Sequence, residues 1–179
     1  MILLPLIVGI ASAAALAMSA ISLGIPYWRD TTVDQPNVQR TITTHTYSGL
    51  WAACTTEVVK VENIIQCESY FTSKDNPNYT AGLRTVQATS ILGTGGAGAL
   101  LVMLVIKSCL LPDSKVISKV MGVVAILAGF FLLLSVVIYA TSVKDGQSFS
   151  VKDLSAGFGM SVVAGIVLVL VGILCCFMK

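Results

Sequence analysis

The sequence predicts a membrane all-α fold: a four-helix transmembrane bundle carrying a small extracellular antiparallel β-sheet, built as one domain over residues 1–179. Three observations lead there. Four stretches long enough to cross a bilayer carry no charge, the longest segment between them alternates polar and β-branched residues, and two of the five cysteines fall inside that segment.

The charge-free stretches come first. Residues 1–28, 85–106, 120–143 and 154–178 contain no Asp, Glu, Lys or Arg. Each reaches the roughly 20 residues that a helix needs to cross about 30 Å of hydrocarbon. Spans are therefore expected at about residues 3–26, 85–106, 118–141 and 154–178. The composition agrees, since 55% of the chain is hydrophobic and 11% charged, where a soluble domain carries roughly a quarter charged residues. The first stretch holds small-residue sites at Ala15-Leu16-Ala17 and Met18-Ser19-Ala20 that resemble signal-peptide cleavage sites. It has no basic leading region and runs past the usual length of a signal core, which favours a retained span.

The loops set the expected orientation. The segment between the second and third spans, about residues 107–117, is short and basic, with Lys107 and Lys115 and with Lys119 just beyond; Lys179 ends the chain. The outer candidates, about residues 27–83 and 142–153, carry nearly balanced charge. The positive-inside bias then puts both termini and the basic loop in the cytoplasm of a multi-pass plasma-membrane protein.

Cysteine placement points the same way. Cys54 and Cys67 lie in the long outer loop, where the redox poise favours a disulfide. A metal site there would need more ligands than the single histidine, His45, supplies. Cys109, Cys175 and Cys176 lie at the expected cytoplasmic edges, either as candidates for S-palmitoylation or as plain boundary thiols.

The long loop reads as ordered. Thr41-Ile42-Thr43-Thr44-His45-Thr46-Tyr47 and Val58-Val59-Lys60-Val61-Glu62-Asn63-Ile64 have strand-like composition with a two-residue period. Pro26, Pro36 and Asn76-Pro77-Asn78 punctuate the loop. Asn78-Tyr79-Thr80 is a glycosylation sequon on the expected outer side.

Gly93-Thr94-Gly95-Gly96-Ala97-Gly98 matches a dinucleotide-binding pattern in letters only, because no strand precedes it and it sits inside a span. Gly93, Gly95, Gly96 and Gly98 read instead as helix-packing residues, with Gly93/Ala97 and Gly95/Ala99 as small-residue ridges. Gly157, Gly165 and Gly172 read likewise in the fourth span. With one histidine and no carboxylate inside a span, no catalytic residues, metal or cofactor are expected, and a net charge of +2 gives no nucleic-acid footprint.

Trp28 after the first span, then Gly49-Leu50-Trp51 with Cys54 and Cys67, resembles the W…GLW–C–C signature of the claudin superfamily, which includes peripheral myelin, epithelial membrane and lens fibre proteins and calcium-channel gamma subunits. The first outer loop is claudin-like through Gln66-Cys67-Glu68. The later spans resemble the epithelial membrane proteins, at Val86-Gln87-Ala88-Thr89-Ser90 (claudins tend to place an arginine at the position of Gln87) and at Ser155-Ala156-Gly157-Phe158. The second outer loop lacks the aromatic-proline motif usual in claudins, and the chain stops at Phe177-Met178-Lys179 with no tail for a scaffold domain.

The resemblance implies a left-handed bundle with an outer sheet that gains a strand from the second loop. It implies that Trp28, Gly49, Leu50 and Trp51 wedge the sheet on the helix ends, and that Glu68 is a candidate for charge selectivity in a pore. It further implies cell–cell contact, adhesion or a paracellular barrier through self-association, with an auxiliary role beside a larger ion channel as the alternative. The implied partners are the lipid bilayer and other copies of the chain or such a channel.

Overall fold

In a computed structural model, residues 3–37, 40–59, 62–70, 81–110, 114–142 and 155–177 are described. Four helices, α1 (Leu3–Gly24), α2 (Ala81–Cys109), α3 (Lys115–Ser142) and α4 (Ala156–Phe177), enclose a ring in which α1 touches α2 and α4, and α3 touches α2 and α4. Between α1 and α2 lies a sheet of β1 (Arg29–Asn37), β2 (Arg40–Ser48), β3 (Ala52–Val59) and β4 (Glu62–Ser69), an antiparallel meander in the order β1-β2-β3-β4.

The helices follow from the apolar runs. At about 1.5 Å per residue, the 22 residues of α1 and α4 reach about 33 Å, enough to cross hydrocarbon. α2 extends beyond its charge-free stretch at both ends and takes Arg84 and Lys107 into its terminal turns. Ser12, Thr89 and Ser135 face inward and return their hydroxyls to carbonyls one turn back on their own helices, at 2.7, 2.9 and 2.7 Å. These hydroxyls thereby need no water. The core between the helices is made of Val8, Leu100, Met121, Leu132, Leu168 and small residues such as Ala15, Ala97 and Ala128. Ile10, Val102, Phe130 and Leu170 stay more than half exposed on the outer surface, as contact with lipid tails requires.

The α3–α4 contact is built on glycines at matched heights. A Cβ on Gly129 would lie 2.7 Å from the Gly165 carbonyl oxygen, and one on Gly165 would lie 2.9 Å from Leu133. On α2 the packing face holds Gly93 and Gly96, whose added Cβ atoms would meet Leu132 at 2.7 Å and Ala128 at 2.8 Å. Gly95 and Gly98 take no part in packing within this chain, since an added Cβ at either meets nothing within 4 Å. The helical repeat turns Gly95 and Ala99 to the outer surface, so only the Gly93/Ala97 ridge packs inside the bundle.

The sheet differs in detail from the alternation. The first strand-like segment lies within β2, but residues 58–64 straddle the β3–β4 hairpin, because the period continues on both sides of the turn. β1 carries Pro36 near its end. It is an edge strand of this sheet, where a missing N–H is tolerated. The strand expected from the second outer loop lies outside the described residues.

Candidate functional site

Chemistry on this chain concentrates where the sheet meets the bundle. The last turn of α1 leaves carbonyls with no partner in the helix, as every helix C-terminus does. Two tryptophans supply donors there. Trp28 Nε1 donates to the Ser22 carbonyl oxygen at 2.7 Å, and Trp51 Nε1 donates to that of Leu23 at 2.6 Å. Both indoles thereby cap α1 from the sheet side.

Trp28 is fully buried and connects three elements. Its backbone N–H donates to Ser48 at the end of β2 at 3.0 Å, and its carbonyl accepts from Ser155 just before α4 at 3.1 Å. Its ring lies 5.0 Å from that of Tyr139 and 6.3 Å, edge-on, from that of Phe158. Gly157 completes the junction: its N–H donates to the Tyr27 carbonyl at 2.8 Å, its carbonyl accepts from Ser22 Oγ at 2.6 Å, and an added Cβ would lie 2.8 Å from both Trp28 Cδ1 and the Tyr27 oxygen. A side chain at 157 would push the indole off α1.

Gly49, Leu50 and Trp51 form the link from β2 to β3. Gly49 is required by close approach, since its Cβ would stand 2.5 Å from the Pro26 Cα, a backbone atom that cannot give way cheaply. Leu50 is fully buried beside Tyr70, Leu83 and Val86. Its carbonyl accepts from Gln87 Nε2 on α2 at 2.6 Å, and the Trp51 carbonyl accepts from the Tyr70 N–H at 3.0 Å. Three residues in a row thus hold the sheet to α1, α2 and the segment leaving β4.

Cys54 and Cys67 are directly opposed in the β3–β4 register and form a disulfide, with Cα atoms 4.0 Å apart. The bond locks the hairpin two register pairs from its Ala52–Ser69 end, the end that the Trp51–Tyr70 hydrogen bond closes. Glu68 follows on β4, exposed and paired in register with Ala53, while Ile65 stands 66% exposed on the same strand. His45, in the middle of β2, hydrogen-bonds with Thr32 Oγ1 at 3.1 Å and stacks on Tyr47. Among the described residues no group of His, Cys, Asp or Glu could hold a metal ion.

At the opposite end, Cys109 and Cys176 are exposed but Cys175 is fully buried in the core. Adjacent residues on a helix point about 100° apart, so one of the neighbouring thiols turns inward, out of reach of an acyl group. Asn78 lies outside the described residues. Sequence reasoning missed Ser22, and it read Phe158 only as part of a resemblance. A serine in the last turn of an apolar span was the available signal for the first.

The sequence model of the PMP-22/EMP/MP20/Claudin family matches residues 1–179, the whole chain. The chain belongs to that family. No curated protein matches it. As a PMP-22/EMP/MP20/Claudin family protein, it is a multi-pass membrane protein whose four apolar helices contact the bilayer and carry a four-stranded antiparallel sheet. In this member of the family, the tryptophans and the Gly-Leu-Trp turn join that sheet to the helix ends.

Proposed function

We propose that the protein is a non-catalytic contact protein of the plasma membrane, which holds its sheet outside the cell and associates through it with copies of itself, laterally and across the intercellular gap. The observation that carries this reading is the mounting of the sheet. Donors and carbonyls from α1, α2 and the start of α4 fix it at one end, while β4, an edge strand of the meander, leaves Ile65 and Glu68 exposed. A rigid mount loses little conformational freedom when the sheet meets a partner.

Both termini and the basic α2–α3 segment lie in the cytoplasm in this reading, Asn78 is available for a glycan, and Cys109 and Cys176 are the acylation candidates. Glu68, exposed near the disulfide, attracts cations to any narrow aqueous path that assembled sheets enclose. The test is expression of the tagged full chain in cells that lack junctions. Enrichment at contacts between expressing cells, lost on Ile65→Asp with surface delivery intact, is expected. Diffuse surface distribution would count against self-association.

One observation favours a second reading, an auxiliary subunit beside a larger channel. Gly95 and Ala99 face outward from α2, where a foreign transmembrane helix can approach closely. Purification from native membrane discriminates the two, since a stoichiometric channel polypeptide supports the second and recovery of this chain alone supports the first.

A further inference from the structure

The end of the bundle away from the sheet gathers the C-terminus of α2 and the N-terminus of α3. Lys107, in the last turn of α2, reaches across to α3, where its ammonium donates to the Ser118 hydroxyl. Ser118 is buried, and the lysines before and after it on the same helix, Lys115 and Lys119, are exposed. Three cations are thus held at one corner, and Lys107 is held by a neutral hydroxyl. Across residues 85–142 the sequence contains a single acid, Asp113, which lies outside the described residues.

The same corner is apolar between its charges. Leu110 is 72% exposed, Val116 71% and Val120 46%. Like charges gathered at a low-dielectric surface repel one another, and an anion placed among them relieves that repulsion. A free phosphate would use only the ammonium groups. A phospholipid uses both features, with its acyl chains against Val116, Val120 and Leu110 and its headgroup phosphate among the lysines.

The geometry points to a binding corner for an anionic phospholipid at the α2–α3 end, with Lys107, Lys115 and Lys119 contacting the headgroup and Ser118 positioning Lys107. A zwitterionic lipid is disfavoured there, because its head group carries no net negative charge to offset the lysines. The corner does not depend on the contact role proposed above, and it serves either an adhesive protein or a channel subunit.

The test uses the purified full chain in mixed micelles holding equal amounts of phosphatidylserine and phosphatidylcholine with the same acyl chains. Lipid retained after washing is read by mass spectrometry. The protein is expected to retain phosphatidylserine over phosphatidylcholine by roughly tenfold, as a few juxtamembrane lysines supply. Lys115→Gln with Lys119→Gln removes two exposed cations without disturbing packing and should bring the ratio close to one. Ser118→Ala should lower it partway by releasing Lys107, and Lys144→Gln with Lys152→Gln, in the other short loop, should leave it unchanged. Equal retention of the two lipids by the unaltered protein would overturn the proposal, as would an undiminished preference in the folded Lys115/Lys119 variant. Full competition by millimolar inorganic phosphate would show that the acyl chains play no part, and would overturn the lipid assignment.

Discussion

Gly122 and Gly172 face each other across the α3–α4 contact so closely that neither has room for a side chain. A Cβ on Gly122 would lie 2.9 Å from the Gly172 carbonyl oxygen, and one on Gly172 would lie 2.8 Å from that of Gly122. Gly129 and Gly165 repeat the relationship further along the same two antiparallel helices. In lipid, helices gain nothing by hiding apolar surface from each other, so close backbone approach supplies much of their association.

Gly172→Val is therefore expected to force α3 and α4 apart, at a cost of about 1–3 kcal/mol, typical of overpacking a tight contact. Thermal unfolding in a mild detergent would show a lowered midpoint. Gly95→Ala is the internal control, because an added Cβ there meets open space, and its midpoint should hold or rise slightly. Equal losses for the two variants would mean that glycine flexibility, not contact distance, sets the stability.

The two indole caps invite a more conservative change. Trp51→Phe keeps a flat ring but removes the N–H that reaches the Leu23 carbonyl at 2.6 Å. An acceptor left unmade in a part-buried site costs about 1–3 kcal/mol. Trp28→Phe should cost at least as much, because that ring is fully buried and its cap on Ser22 is lost with it. Unfolding midpoints of the two variants check this, and a Trp51→Phe protein as stable as the original would remove the cap from the account.

Much of this arrangement is legible in the amino-acid sequence. The spans stand out because lipid excludes charge, and residues 85–106 could be read as a helix from that alone. Local alternation revealed the sheet but placed residues 58–64 in one strand, since no glycine or asparagine marks the turn between β3 and β4. The packing of glycines was harder. Gly122 and Gly129 on α3 match Gly172 and Gly165 on α4 only after the helices are laid antiparallel, and nothing local to α2 says which of Gly93 and Gly95 turns inward. The role of Ser22 depends on Gly157, far along the chain, and no local pattern encodes such a contact.

The disulfide makes a separate, testable contribution. Cys54 and Cys67 are 13 residues apart and already opposed in the β3–β4 ladder. Replacing both by serine frees a short loop in the unfolded chain, which corresponds to about 3 kcal/mol for a loop near this size. The expected result is a lower unfolding midpoint and poorer delivery to the surface, with the helices retained by circular dichroism. Loss of helix signal together with the sheet would show instead that bundle and sheet unfold as one unit.

Gln87 offers the sharpest test of how the sheet is held to α2. Its amide donates to the Leu50 carbonyl at 2.6 Å in a site where the side chain is only 6% exposed. Gln87→Leu has similar bulk but no donor, so the carbonyl loses its partner and the variant should fall by about 1–3 kcal/mol. Gln87→Arg is longer and charged yet still presents N–H donors along the same direction, and burial of its charge is offset only if the guanidinium reaches carbonyls at the bundle rim. The expected order of unfolding midpoints is therefore Gln87, then Gln87→Arg, then Gln87→Leu. If the leucine variant proved the more stable of the two replacements, apolar packing against Leu50 and Val86 would outweigh the hydrogen bond, and the sheet would be held by its buried side chains instead of by its carbonyls.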